Sequence, residues 1–227
     1  MGTDKPAGDI KSVVVVVIIA AVCAAGLAFV KKGTAGAIEE AQRAETLYGV
    51  GKVVPGDCTV ELDRAIQWPE GESDPRKSKT IYPAYGAGGE LCALAVRTRN
   101  DTGYSGKVVL LAGFTGLESP DALSLTRIYV LEHAETPGLG SKIADMQDEE
   151  VEQWGASAAK VFGLNFRDKP LAKMTYKVVK NSPAEGDVVA VTAATISSRA
   201  VTAGVQDAAT VIKGDLGALK QRLGGGK

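Results

Sequence analysis

The runs Leu91-Cys92-Ala93-Leu94-Ala95-Val96-Arg97-Thr98 and Lys107-Val108-Val109-Leu110-Leu111-Ala112-Gly113-Phe114 decide the fold class. A turn cluster, Asn100-Asp101-Thr102-Gly103, stands between them. Both runs are rich in aliphatic residues and bounded by turn formers, which reads as neighbouring strands. Residues 127–131, 174–180 and 187–194 read the same way. Val151, Trp154, Ala158 and Val161 fall at helical spacing and predict a helix over 148–161, between the third and fourth strands. Val201, Val205, Ala208 and Ile212 predict a last helix, capped by Ser197 or Ser198 and ended by Gly214. Strands in series with helices inserted and appended argue an α+β fold: a mostly antiparallel sheet with flanking helices.

Upstream of the sheet, residues 13–30 form an 18-residue run without charge, flanked by Lys11 and by Lys31-Lys32. That length is at the lower limit for a helix crossing the hydrocarbon core. Ala24-Ala25-Gly26 also suits a signal-peptide cleavage site, but the run is longer than a usual signal core and has lysines on both sides. The expectation is an uncleaved, single-pass transmembrane helix. Lysine counts on the two sides balance, so charge leaves the orientation open.

The expected organisation is a short N-terminus at 1–12, a transmembrane helix at 13–30, a membrane-proximal segment at 31–89, a main domain at 90–213 and a tail at 214–227. Within the membrane-proximal segment Ala37, Ala41, Ala44, Leu47 and Tyr48 share one helix face. Residues 55–83 carry many turn formers and read as an irregular excursion.

Composition excludes several functions. The chain has 227 residues, 26 basic against 27 acidic, a formal net charge of -1 and a pI near 6.0. It carries no basic stripe, so nucleic acid is not an expected partner. Its three cysteines and one histidine form no Cys-x-x-Cys, no haem-attachment signature and no His pair. Iron–sulfur, haem and structural zinc therefore lack a ligand set, and no metal site is expected. Cys23 lies in the apolar run, whereas Cys58 and Cys92 are candidates for a disulfide if their domain is exported. No Gly-x-Ser-x-Gly elbow and no dinucleotide fingerprint appear. His133 reads as a structural residue.

Two loops carry the candidate chemistry. Thr192-Ala193-Ala194-Thr195-Ile196-Ser197-Ser198 hands a strand over to a helix. Small side chains there let a ligand approach the backbone, and the helix start offers N–H groups to a phosphate. The second loop, Glu135-Thr136-Pro137-Gly138-Leu139-Gly140-Ser141-Lys142, closes the strand ending at Leu131 and uses glycines for close approach to a flat ligand.

Thr-Pro-Gly-Leu-Gly-x-Lys followed some fifty residues later by Thr-x-Ala-Thr-x-Ser-Ser resembles the FMN-binding domain of the Rnf and Na⁺-translocating NADH:quinone reductase complexes. The resemblance runs from the apolar segment to about Ala209. It implies a membrane-anchored flavoprotein subunit that passes single electrons, with its N-terminus in the cytoplasm and its domain on the periplasmic side of the inner membrane. It implies FMN esterified through its phosphate to Thr195, installed by a flavin-attaching transferase. Partners would be the other Rnf subunits, above all the FMN-carrying membrane subunit. Thr192, Ala193, Ala194, Ser197 and Ser198 would surround the phosphate. Glu135, Thr136, Pro137, Gly138, Leu139 and Gly140 would pack on the ribityl chain or ring, with Tyr104 beside the flavin and Lys142 countering its charge. No catalytic residue is implied, since the chain lacks the groups to oxidise NADH or ferredoxin alone. The same resemblance admits an Na⁺-pump or stand-alone relative, a subunit that binds FMN without redox work, and a structural subunit that has lost its flavin. Two positions depart from the family pattern: Ala193 stands where Gly is usual, and Val189 where Asp is expected. Asp187, two residues upstream on the same strand face, is the candidate substitute for that Asp.

Overall fold

The computed structural model describes residues 7–144 and 162–224. The helix expected over 148–161 lies outside the described residues. The chain divides into two compact units, Met1–Ala44 and Glu45–Lys227.

The first unit is helical from Ala7, within α1 (Ala7–Val53), which takes in the whole apolar run. Its side chains stay exposed along residues 13–30, with Leu27 at 73% and Phe29 at 82%. The helix is long and apolar enough to cross a membrane. Such a surface has no partner in water, and a lipid environment supplies one.

The second unit is built on an antiparallel sheet. Its strands are β1 (Thr59–Val60), β2 (Ile66–Trp68), β3 (Lys79–Tyr85), β4 (Leu91–Gly103), β5 (Gly106–Thr115), β6 (Ser124–His133) and β7 (Lys169–Pro170). They run in the order β1-β3-β4-β5-β6-β7, with β2 also paired to β3. A separate parallel pair joins β8 (Val178–Val179) to β9 (Val188–Val189). The C-terminal helix α2 (Thr195–Leu223) lies on one sheet face. There Ile81, Leu94, Val96, Leu110, Ala112 and Phe114 meet Val201, Val205, Ala208 and Ile212, all fully or almost fully buried. The opposite face, carrying Tyr82, Ala93, Ala95 and Leu111, is covered by Val50, Val53 and Val54. Alternate residues of β4 serve the two cores, which is the two-residue period of a strand buried on both sides.

Glycines set how closely the layers approach. A Cβ at Gly113 would lie 1.9 Å from the Val53 carbonyl oxygen, and Thr126 Oγ1 donates a hydrogen bond to that same oxygen. A Cβ at Gly204 would come within 3.1 Å of Leu110 Cδ2.

Several expectations change. Residues 55–83, read as irregular, contain β1, β2 and most of β3, and the sheet begins there rather than at residue 90. Turn formers surround these short strands and mask them, while the buried Ile81, Tyr82 and Ala84 fix β3 in the sheet. The Asn100–Gly103 cluster continues β4, and the chain reverses at Tyr104-Ser105. Strands expected over 174–180 and 187–194 shrink to the two-residue β8 and β9. The last helix does not end at Gly214 but runs to Leu223. Leu216, Leu219 and Leu223 are buried at 4%, 0% and 2% exposure, and their packing outweighs the roughly 1 kcal/mol that a glycine costs in a helix interior. The Tyr85 hydroxyl (2.8 Å) and Arg64 Nη2 (3.2 Å) donate to the Leu223 carbonyl and close the helix end. Residues 214–223 thus belong to the domain and not to a tail.

Cys58 and Cys92 are joined in a disulfide, with their Cα atoms 6.4 Å apart. It ties the segment after α1 to the start of β4.

Candidate functional site

One cleft of about 710 Å³ opens where the β4–β5 hairpin tip, the loop after β6 and the start of α2 converge. Its walls include Tyr104; Glu135, Thr136, Leu139 and Gly140; Lys180 and Asn181; and the continuous run from Ala190 to Ser197. The volume falls within the roughly 300–1,000 Å³ typical of small-molecule and cofactor sites.

Glu135 organises this convergence. Its side chain is buried, at 5% exposure. Ser197 Oγ donates to Oε2 at 2.9 Å, and the Ser105 N–H points at Oε1 at 3.4 Å. From the loop after β6, one carboxylate therefore touches both the hairpin tip and the first turn of α2. Two glycines make room for it: a Cβ at Gly103 or at Gly140 would lie 2.7 Å from a Glu135 oxygen. His133 Nδ1 accepts the Glu135 N–H at 3.2 Å, so the lone histidine helps to hold this loop.

The turn before α2 separates its four hydroxyls into two kinds. Ser197 is bound to Glu135. Ser198 Oγ donates to the Ala194 carbonyl at 2.9 Å and accepts the Val191 N–H at 3.0 Å. Both serines are buried inside the first turn of α2, so neither caps it as expected. The N-cap residue is Ala194, which offers no side-chain bond. The helix start is thus left open toward the cleft, and such open N–H groups favour an anion. Among the described residues, the Thr192 and Thr195 hydroxyls have no hydrogen-bond partner, and both residues line the cleft.

Ala193 adopts φ +63°, in the left-handed region. The conformation that glycine would supply is therefore kept in the presence of a Cβ, at a cost of about 1–2 kcal/mol. Val189, where an acid was expected, has its N–H and C=O held by the Asn165 side chain at 2.9 and 3.2 Å. Asp187 does not line the cleft. It accepts from Thr175 Oγ1 at 2.7 Å and from the Ala184 N–H at 3.1 Å, and the Thr175 bond, helped by the second, holds its carboxyl below the ordinary carboxylate value.

Of the residues singled out in the sequence, Tyr104, Glu135, Thr136, Leu139, Gly140 and the run from Thr192 to Ser197 come together at the cleft, Ile196 among them. Pro137, Gly138, Lys142 and Ser198 are not among its lining residues. Lys142 is exposed in the last turn of a 3-10 segment, Gly140–Ala144. Sequence reasoning missed Lys180 and Asn181, whose place depends on the β8–β9 pairing, a contact with no local signal.

A sheet domain with a nucleotide-sized cleft at an open helix start defines a cofactor-binding module. A family model described as "FMN-binding domain" matches residues 103–210. The G subunit of the Na⁺-translocating ferredoxin:NAD⁺ oxidoreductase complex of Acetobacterium woodii is 31% identical over 194 residues, covering 83% of this chain and 84% of that protein. The G subunit of an ion-translocating oxidoreductase complex from Methanosarcina acetivorans is 28% identical, covering 91% and 96%. Among solved structures, NqrC of Shewanella oneidensis is similar at 22% identity and a TM-score of 0.42, covering 72% of this chain and 68% of that one. The chain belongs to the FMN-binding domain family, among the G subunits of ion-translocating oxidoreductase complexes.

Proposed function

We propose that this protein is a membrane-anchored flavoprotein subunit of an ion-translocating ferredoxin:NAD⁺ oxidoreductase, carrying single electrons through FMN held in the cleft. Membership of the G-subunit family supports the complex and its other subunits as partners. The FMN-binding domain match, which takes in the residues from Tyr104 to Ser197 that wall the cleft, supports the cofactor. The apolar α1 supports attachment to a membrane. We place the domain on the extracytoplasmic face; the Cys58–Cys92 disulfide favours that side, because disulfides persist in oxidising compartments.

The residues fit the cofactor. The uncapped start of α2 suits a phosphate, the glycine-lined loop suits a flat ring, and Glu135 keeps the three walls in register. When bound, FMN supplies the one-electron chemistry, and the protein contributes orientation and electrostatics. The chain's part is to hold the phosphate at the helix start, exclude water along Leu139 and Ile196, and fix the Tyr104 hairpin at the rim.

We further propose that the phosphate is esterified to Thr195 by a flavin-attaching transferase. One observation carries this: among the described residues the Thr195 hydroxyl, at the first residue of α2, has no partner, whereas Ser197 and Ser198 beside it are committed to internal bonds. The test is to express the chain with its partner subunits and transferase, denature it, and examine the gel band for flavin fluorescence. Wild type should fluoresce and Thr195→Val should be dark. A fluorescent Thr195→Val band would refute the attachment site. Yellow native protein with a dark denatured band would refute the covalent link while leaving FMN binding in place.

A further inference from the structure

Among the described residues lining the cleft, two carry charge, and their situations are opposite. Glu135 is buried and engaged by Ser197 and Ser105. Lys180 is exposed and has no ion pair among the described residues. Its backbone is nonetheless well placed. Val178 and Val179 pair in parallel with Val188 and Val189, and the Ala190 N–H donates to the Val179 carbonyl at 2.8 Å. This ladder holds Lys180 abreast of Ala190 and Val191, just ahead of the turn that ends in Thr195. A lysine that lines the same cleft as an uncapped helix start suits an anionic group of the ligand.

We propose that Lys180 is a phosphate-binding residue of the cleft, its ammonium donating to a phosphate oxygen of FMN. The inference rests on the FMN reading above. Lys180 takes the charge-countering role that the sequence had suggested for Lys142, which does not line the cleft. Because the contact is to phosphate and not to the ring, it separates FMN from riboflavin, which has the same isoalloxazine and ribityl chain without the phosphate. It also places a binding residue in the segment between the two sequence motifs, delivered by a two-strand ladder.

The test uses the full chain in detergent micelles, produced without the flavin-attaching enzyme, titrated with FMN and with riboflavin and followed by flavin fluorescence. Lys180→Gln should weaken FMN binding about tenfold, the order of one charge-assisted contact at an exposed site, and leave riboflavin binding unchanged. Lys180→Arg should retain most of the FMN affinity, and Lys142→Gln should change neither ligand. The proposal is overturned if Lys180→Gln leaves FMN affinity intact, or if it weakens both flavins equally. If the wild-type chain binds neither flavin, the FMN reading fails and this proposal falls with it. If wild type binds both and only the Lys180 effect is missing, the FMN reading stands and the phosphate contact alone is wrong.

Discussion

Replacing Leu219 by Ala tests whether the last ten residues of α2 are core or tail. Leu219 is completely buried, in the same cluster as Leu216, Leu223, Ile81 and Leu94. Removing a buried leucine side chain costs about 2–5 kcal/mol, the transfer term plus the cavity left behind. Leu219 lies one turn from the helix end, where neighbours can partly collapse, so the expected cost is about 3 kcal/mol. For a unit the size of Glu45–Lys227 each kcal/mol lowers Tm by about 2–4 °C, which gives a fall of about 6–12 °C. Trp68 is a convenient reporter, because its Nε1 donates to Asp215 Oδ2 at 2.7 Å and so reads the same stretch of helix. The assay is thermal unfolding of the detergent-solubilised chain by tryptophan fluorescence, with Lys220→Ala as control. Lys220 is exposed, and its replacement should stay within about 0.5 kcal/mol of wild type. If Leu219→Ala melts within about 2 °C of Lys220→Ala, the size of one surface change, then the helix ends at Gly214 and the packing argument is refuted.

Three further outcomes are expected. Ala193→Gly should stabilise the domain by about 0.5–1 kcal/mol: relief of the left-handed strain at φ +63° exceeds the extra freedom glycine has in the unfolded chain. Urea unfolding would show it as a higher midpoint at unchanged slope, and a lower midpoint would contradict the strain assignment. Reducing the Cys58–Cys92 bridge, or replacing both residues by Ser, should cost about 3.8 kcal/mol on the loop-entropy relation for a separation of 34, and denaturant titration with and without reductant measures it. Asp187 has a depressed carboxyl value, so its contribution is fully present above the ordinary value of 3.8 and is lost as pH falls through the folded one. Amide exchange at Ala184, whose N–H it accepts, should accelerate over that acid range in wild type and be already fast in Asp187→Asn.

Legibility differed between parts of the molecule for physical reasons. The long central strands β4, β5 and β6 could be read from composition, since runs of buried aliphatics bounded by turn residues have few other solutions. Strands β1, β2 and β3 could not, because two of them are only two and three residues long and all lie among prolines and charges. The turn at Thr192–Ser198 and the loop at 135–140 were readable as cleft-forming, because glycines, small residues and hydroxyls at a strand-to-helix junction are a local pattern. The roles of individual hydroxyls were not. Ser197 and Ser198 looked like caps, and only the arrival of Glu135 and the Val191 N–H turned them inward.

The sequence by itself determined the α+β class, the apolar segment and the two loops that wall the cleft. Each is written in a local periodicity or in residues with strong backbone preferences. Only the tertiary structure decided how far α2 runs, which hydroxyls of the turn are committed to internal bonds, and that Lys180 rather than Lys142 lines the cleft. Each of these depends on a contact between residues distant in the chain: Leu219 on the sheet, Glu135 on Ser197, and β8 on β9. Their energies come from burial and pairing, which a local pattern does not carry.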